Sequence, residues 1–157
     1  RKKDLIYKGW DLDFKKFRIY LTDKFRVNKS FLFIGYIPKY TALYSNLEKF
    51  GFILIFKPVI TRKNSKYKGN IDAELVLHSC KITYDSYDKA VIVSGDGDFY
   101  CVHKFLKENK KLGTILIPNS KSESSLLKEF TSYKVYMEYE KGKLEVKKSG
   151  RRPLIIT

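Results

Sequence analysis

The sequence has little cysteine, and none of its apolar runs is long. It contains two cysteines, Cys80 and Cys101, among 157 residues. Two cysteines cannot build the disulfide framework of a small secreted domain, and they fit a reducing compartment. No apolar run approaches the ~20 residues that cross a bilayer, and no signal peptide is visible after Arg1. We therefore expect a cytoplasmic protein without a membrane partner.

Acidic residues are also scarce. The chain has 17 Asp plus Glu against 32 Lys plus Arg, a formal net charge of +15. Such an excess favours a polyanionic partner, nucleic acid above all, although lysine can also serve solubility alone. Aromatic residues are abundant by contrast, with 12 Tyr and 11 Phe, which excludes intrinsic disorder. The length suits one compact domain.

Short apolar runs alternate with segments of helical periodicity along the chain. The runs are nearly continuous rather than alternating, which is typical of parallel strands covered on both faces. We predict strands over Phe31–Ile37, Phe52–Phe56, Ala90–Val93, Thr114–Ile117 and Val135–Tyr139. We predict helices over Leu12–Phe25 with an Asp11 or Asp13 cap, Tyr40–Phe50, Asn70–Thr83, Phe99–Asn109, and one opened by a Ser120/Glu123 capping box. This pattern predicts an α/β fold with right-handed crossovers and a mostly parallel sheet.

The domain organisation follows from the same pattern. Residues 1–140 form the predicted domain, and residues 141–157 carry a basic segment. The sequence leaves open whether this segment packs as an extra strand or forms a loose tail.

The segment Ser94-Gly95-Asp96-Gly97-Asp98 carries the most chemical information. It joins a buried strand to a helix, so both aspartates lie at the carboxyl end of a parallel strand, where open α/β sheets bind ligands. Two adjacent carboxylates repel each other, and a hard cation such as Mg²⁺ or Mn²⁺ would offset that repulsion. Gly95 and Gly97 would let the backbone turn tightly, and Ser94 would orient a carboxylate. A plain solvated turn is the alternative interpretation.

A second acidic position weakens that alternative. Asn70 can cap the helix that leads into the strand before Ser94, which places Asp72 in the first helical turn. A crossover helix starts at the carboxyl edge of the sheet, so Asp72, Asp96 and Asp98 can converge there. Glu74 is the weaker candidate ligand.

A basic run precedes this helix, with no acidic residue from position 57 to position 69. We predict that it binds phosphate groups beside the acidic site, although a solvated loop would have the same composition. Its cations are Lys57, Arg62, Lys63, Lys66 and Lys68.

Together these motifs resemble the NYN domain, the LabA-like branch of the PIN-like nuclease superfamily. The resemblance rests on Lys68–Asp72, Val91–Phe99, Pro118-Asn119 and Ser124–Leu127, with similar stretches at Gly9–Phe14 and Tyr36–Pro38. It implies a PIN-like three-layer α/β/α sandwich, dependence on Mg²⁺ or Mn²⁺, and action on RNA. It also implies that Asp72, Asp96 and Asp98 occupy acidic positions of the family.

The chain departs from the family pattern at its start. The family begins with a strand whose end supplies a metal-binding aspartate, and this sequence starts after that point. We expect the chain to lack that strand and one carboxylate, either as a fragment or through loss.

Three functional hypotheses follow. The first is a metal-dependent ribonuclease that hydrolyses RNA phosphodiester bonds at the aspartates. The second is a non-catalytic RNA-binding or regulatory module of the same fold. The third and weakest is a phosphatase of the haloacid-dehalogenase type, which would need Thr or Val where Tyr100 stands. The RNA target, the cleavage mode, the number of metal ions and the formation of a homo-oligomer stay open.

Overall fold

A computed structural model of the chain describes residues 10–61, 67–68 and 71–147. Helices and strands alternate along it, as the apolar pattern predicts. The strands are β1 (Ser30–Tyr36), β2 (Phe52–Pro58), β3 (Ile60–Thr61), β4 (Tyr67–Lys68), β5 (Ala90–Val93), β6 (Leu112–Ile117) and β7 (Lys134–Tyr136). The α-helices are α1 (Phe14–Phe25), α2 (Thr41–Lys49), α3 (Asp72–Leu77), α4 (Tyr100–Glu108) and α5 (Lys141–Leu144). A π-helix, His78–Ile82, continues α3. Within the described residues, short 3-10 helices cover Pro38–Tyr40, Tyr84–Ser86, Gly97–Phe99, Ser120–Ser122, Ser125–Tyr133 and Met137–Glu140.

The long strands pair in parallel, as continuous apolar runs indicate. β1 pairs with β2 over its whole length, and β6 lies between β5 and β7 with both pairings parallel. β3 and β4 form a two-residue antiparallel ladder. Within the described residues β1 and β5 each have one strand neighbour, so each leaves one edge without a strand partner. The fold is α/β with parallel sheets and helices, in agreement with a PIN-like α/β/α architecture.

Two apolar clusters form the core and hold the sheets together. The first joins α1 and α2 to both sheets, since Phe17 and Leu47 pack in one cluster with Phe52 and Leu116. The second lies between β5–β6 and the helices after β2, with Leu106, Ile115 and Phe130 fully buried. Side chains of both parallel sheets therefore share one apolar interior, which fixes the strand ends relative to one another.

Local capping follows the sequence in one place and departs from it in another. Asp13, one of the two predicted caps, accepts a hydrogen bond from the Lys16 amide at 3.1 Å. The Ser120/Glu123 capping box is wrong: Asn119 caps the first short helix and Ser124 the second. Both of those segments are 3-10 helices rather than one α-helix.

The segment after residue 140 packs onto the domain as far as the structure describes it. Leu144 of α5 is fully buried in the first cluster. Glu145 forms an isolated antiparallel bridge with Leu12, and the Asp13 amide donates to the Leu144 carbonyl at 2.8 Å. Lys141–Lys147 thus combines a short helix with a single β-bridge, and residues 148–157 lie outside the described residues.

Among the described helices, none has the length and apolar character that a bilayer crossing requires. The first strand of the family pattern would precede Trp10, so the prediction that it is missing falls outside the described residues.

Candidate metal centre

The loop after β5 is built around two aspartates. Strand β5 is an unbroken apolar run, and Phe99 is buried beyond the loop, so both ends of the loop are fixed. The Asp96 amide donates to Ser94 Oγ at 3.0 Å, and the Asp98 amide donates to Asp96 Oδ1 at 2.9 Å. Asp96 thereby caps the 3-10 helix Gly97–Phe99. Asp96 and Asp98 are both exposed residues.

A third carboxylate meets this pair from a distant part of the sequence. Asp72 is the first residue of α3, the helix that leads from β2 and β4 back towards β5. One carboxylate oxygen from each of Asp72, Asp96 and Asp98 lies within 4.8 Å of the others. Asp72 is half-buried, and the other two residues are exposed. The predicted convergence of the three carboxylates is therefore observed.

The arrangement has the chemistry of a divalent cation site. Three carboxylates within 4.8 Å of one another repel strongly unless positive charge lies between them. The donors are all carboxylate oxygens, which suit Mg²⁺ and Mn²⁺ better than Zn²⁺ or Cu²⁺. The residues therefore fit a hard divalent ion, and their exposure leaves room for further ligands such as water or phosphate.

Gly97 of the loop permits close packing against a neighbouring segment. Neither Gly95 nor Gly97 has a positive φ, so neither glycine is required by a left-handed backbone conformation. A Cβ on Gly97 would lie 2.5 Å from Ser124 Oγ, a distance that atoms in van der Waals contact do not reach. The Gly95 carbonyl accepts a hydrogen bond from the Ser124 amide at 3.0 Å. The loop that contains Ser124 thus packs against the aspartate loop.

Glu123 anchors this neighbouring loop, and the sequence did not reveal its role. The Glu123 carboxylate accepts a hydrogen bond from the Tyr136 hydroxyl at 2.9 Å and pairs with Lys134. Burial, and secondarily the bond to Glu123, raises the pKa of Tyr136, so its hydroxyl stays protonated and donates. Both partners lie on β7, so the loop that contains Glu123 is anchored to the sheet independently of any ligand at the aspartates.

The other predicted site residues lie in different surroundings. Lys57, at the end of β2, approaches Glu74 of α3 at 3.6 Å, so Glu74 belongs to an ion pair and not to the three-aspartate cluster. Lys68 lies in β4, where the structure describes the backbone alone. Asn70 and the cations Arg62, Lys63 and Lys66 lie outside the described residues.

Comparisons with known proteins indicate a family and a fold for the chain. The family model described as the NYN domain matches residues 3–138. A crystal structure of a protein of unknown function from Vibrio parahaemolyticus is similar over 92% of this chain and 91% of its own, with a TM-score of 0.69 and 20% sequence identity. At that identity the likeness shows the fold alone. No curated protein matches the sequence.

Proposed function

The chain belongs to the NYN domain family, within the PIN-like nuclease superfamily, and from that premise we propose that it is a metal-dependent ribonuclease. The observation that carries the proposal is the meeting of Asp72, Asp96 and Asp98 within 4.8 Å. In a chain of net charge +15, these three carboxylates form a local concentration of negative charge that a divalent cation would offset. Free Cys80 and Cys101 are compatible with action in the reducing cytoplasm.

Each aspartate has a distinct part in the proposed site. Asp72, Asp96 and Asp98 would hold Mg²⁺ or Mn²⁺, with Asp96 held in place by Ser94 and by its own bond to the Asp98 amide. The bound ion would offset charge on the scissile phosphate and acidify a water molecule. Carboxylate oxygens that do not contact the ion can accept a hydrogen bond from that water and orient it towards phosphorus.

Basic side chains would retain the rest of the RNA. Phosphate groups need positive partners outside the acidic cluster, and the run from Lys57 to Lys68 directly precedes α3. Its members Arg62, Lys63 and Lys66 contribute to the proposal through the sequence alone. Recognition of this kind is governed by charge and RNA shape, so affinity should fall steeply with salt.

A single substitution tests the hydrolytic role. Asp96→Asn removes one negative charge but keeps an oxygen that can accept from the Asp98 amide, so the loop keeps its cap. We expect cleavage of a fluorescein-labelled RNA with Mn²⁺ to slow at least about 100-fold, since a lost metal ligand costs more than the 10–100-fold of a supporting residue. RNA binding measured by anisotropy in EDTA should stay within about twofold, because binding rests on phosphate contacts.

Asp88→Asn is the matched control, because Asp88 is an exposed aspartate outside the cluster. It should cleave like the wild type. Equal cleavage by the Asp96→Asn variant would refute the assignment.

The net charge favours a second candidate, a non-catalytic RNA-binding module. Electrostatic RNA binding does not need the carboxylates. The same assay distinguishes the ribonuclease from the RNA-binding module. A wild-type protein that binds RNA in EDTA but does not cleave it with Mn²⁺ or Mg²⁺ would be a non-catalytic RNA-binding module. Hydrolysis of p-nitrophenyl phosphate without RNA cleavage would instead indicate the phosphatase.

A further inference from the structure

Three aromatic rings cluster where β1 and β2 end, and two of them are exposed. The rings belong to Tyr36, Tyr44 and Phe56, which we call the aromatic platform. Their centroids lie 5.0–5.8 Å apart, with Phe56 packed edge-on against both tyrosines. Tyr44 is buried, whereas Tyr36 and Phe56 are 39% and 40% exposed. Strand residues of a sheet covered by helices are normally buried, so this exposure needs a reason.

The platform is held rigid by its buried member. The Tyr44 hydroxyl accepts a hydrogen bond from the Ile37 amide at 3.1 Å and donates to the Gly35 carbonyl at 3.5 Å. These two backbone groups flank Tyr36, so Tyr44 of α2 fixes the position of the exposed tyrosine. A ring fixed in this way loses little entropy when a ligand stacks on it.

The platform lies at the same end of the strands as the metal centre. In the register of the sheet, Ile34 opposes Phe56 and Gly35 opposes Lys57. Successive residues of a strand face opposite sides, so Phe56 faces α2 while Lys57 faces α3 and pairs with Glu74. Asp72 starts the helix that carries Glu74. The last residues of β2 therefore connect the aromatic platform to the acidic cluster.

Positive charge accompanies these aromatic rings. Lys39 follows Tyr36 closely, and its Nζ lies 5.0 Å from the ring of Tyr40, itself 39% exposed. Lys57 directly follows Phe56, and the basic run continues to Lys68 in the sequence. Exposed rings beside cations are the combination by which proteins bind single strands, with bases stacked on the rings and phosphates on the cations.

We propose that the aromatic platform stacks the unpaired bases of single-stranded RNA and guides that strand to the metal centre. The inference rests on the proposed ribonuclease function and adds the surface that would hold the unpaired bases of the substrate. Paired bases hide their faces inside the helix, so duplex RNA offers the rings nothing to stack on.

Binding measured in EDTA tests the platform apart from catalysis. The probes are a fluorescein-labelled 12-nucleotide single strand and its duplex. Tyr36→Leu and Phe56→Leu keep apolar bulk but remove the ring face. Each should weaken single-strand binding about tenfold, within the range measured for base–aromatic stacking, and leave duplex binding within about twofold. Tyr36→Phe keeps the ring, so this variant should bind single-stranded RNA with wild-type affinity.

Phe105→Leu is the matched control, since Phe105 is 38% exposed but lies on α4. Its affinity should equal that of the wild type. Equal losses for single-strand and duplex RNA, or no loss in either platform variant, would overturn the proposal. So would a dimer in sedimentation that Tyr36→Leu dissociates, because the rings would then serve self-association. Manganese-dependent cleavage by the wild type, scored separately, tells whether the ribonuclease assignment fails as well.

A measurement on the wild type covers the case in which a leucine variant does not fold. Single-stranded RNA containing 4-thiouridine is crosslinked to the protein by light, and the adducts are mapped by mass spectrometry. We expect adducts at Tyr36 or Phe56, the exposed rings of the platform. Adducts elsewhere without any at these rings would contradict the platform.

Discussion

His103 is buried in the second apolar cluster and has a ring that water does not reach. It is fully buried, its ring lies 5.6 Å from that of Phe130, and neither ring nitrogen has a hydrogen-bond partner among the described residues. Burial lowers the pKa of His103 to about 4, because the charged imidazolium would lose its hydration without gaining a partner. His103 is therefore neutral in the folded protein at physiological pH.

This burial makes stability depend on pH. The folded-state pKa lies below the unfolded value, so the unfolded chain binds more protons between pH 6.5 and 4. The contribution is fully present above pH 6.5 and is lost as the pH falls towards 4. Linkage gives a loss of about 2 kcal/mol in the free energy of unfolding from pH 7.5 to pH 5. Urea denaturation at both pH values should show that His103→Leu is less sensitive to acid by this amount. Parallel pH dependence of variant and wild type would contradict it.

The three aspartates show which parts of a site the sequence reveals. Their convergence could be predicted, because parallel strand ends and the starts of crossover helices share one edge of the sheet. The roles of Gly97 and Glu123 could not, because both depend on a loop that folds back onto the aspartates. Contacts between loops leave no periodicity in the sequence.

At the scale of elements, α5 extends the domain beyond the family match. That match ends at residue 138, yet Leu144 is fully buried against the core of α1 and both sheets. The helix is four residues long and cannot be stable by itself. Its stability comes from burial of this leucine and from the bridge between Leu12 and Glu145.

Truncation of this leucine tests whether the segment belongs to the folded unit. Leu144→Ala should lower the free energy of unfolding by about 2–5 kcal/mol, the cost of a buried cavity. Val146→Ala is the control, because Val146 is 46% exposed and its substitution should change stability by less than about 0.5 kcal/mol. Equal stability of the two variants in urea denaturation would show that α5 is not part of the cooperative core.

The elements themselves were largely predictable. β5 has the predicted bounds, and α2 and α4 each end within one residue of theirs, because continuous apolar runs and helical periodicity report burial directly. The capping box failed for a physical reason. The Glu123 carboxylate that would have capped a helix instead binds Lys134 and Tyr136, residues brought near only by the fold.

At the scale of the whole molecule, a basic chain brings three of its carboxylates together at one place. The net charge of +15 would attract the proposed RNA substrate over a distance, whereas the acidic cluster would repel a phosphate that arrived without a cation. With this charge distribution, the proposed RNA and metal binding would depend on each other at the cluster.

The central claim is that Asp72 shares one divalent ion with Asp96 and Asp98. Titration with Mn²⁺, followed by electron paramagnetic resonance of the free ion, measures this without any RNA. We predict one saturable site in the wild type, an affinity at least about tenfold weaker in Asp72→Asn, and no change beyond about twofold in Glu74→Gln, whose carboxylate pairs with Lys57. Wild-type affinity in Asp72→Asn would show that the three carboxylates do not act as one site.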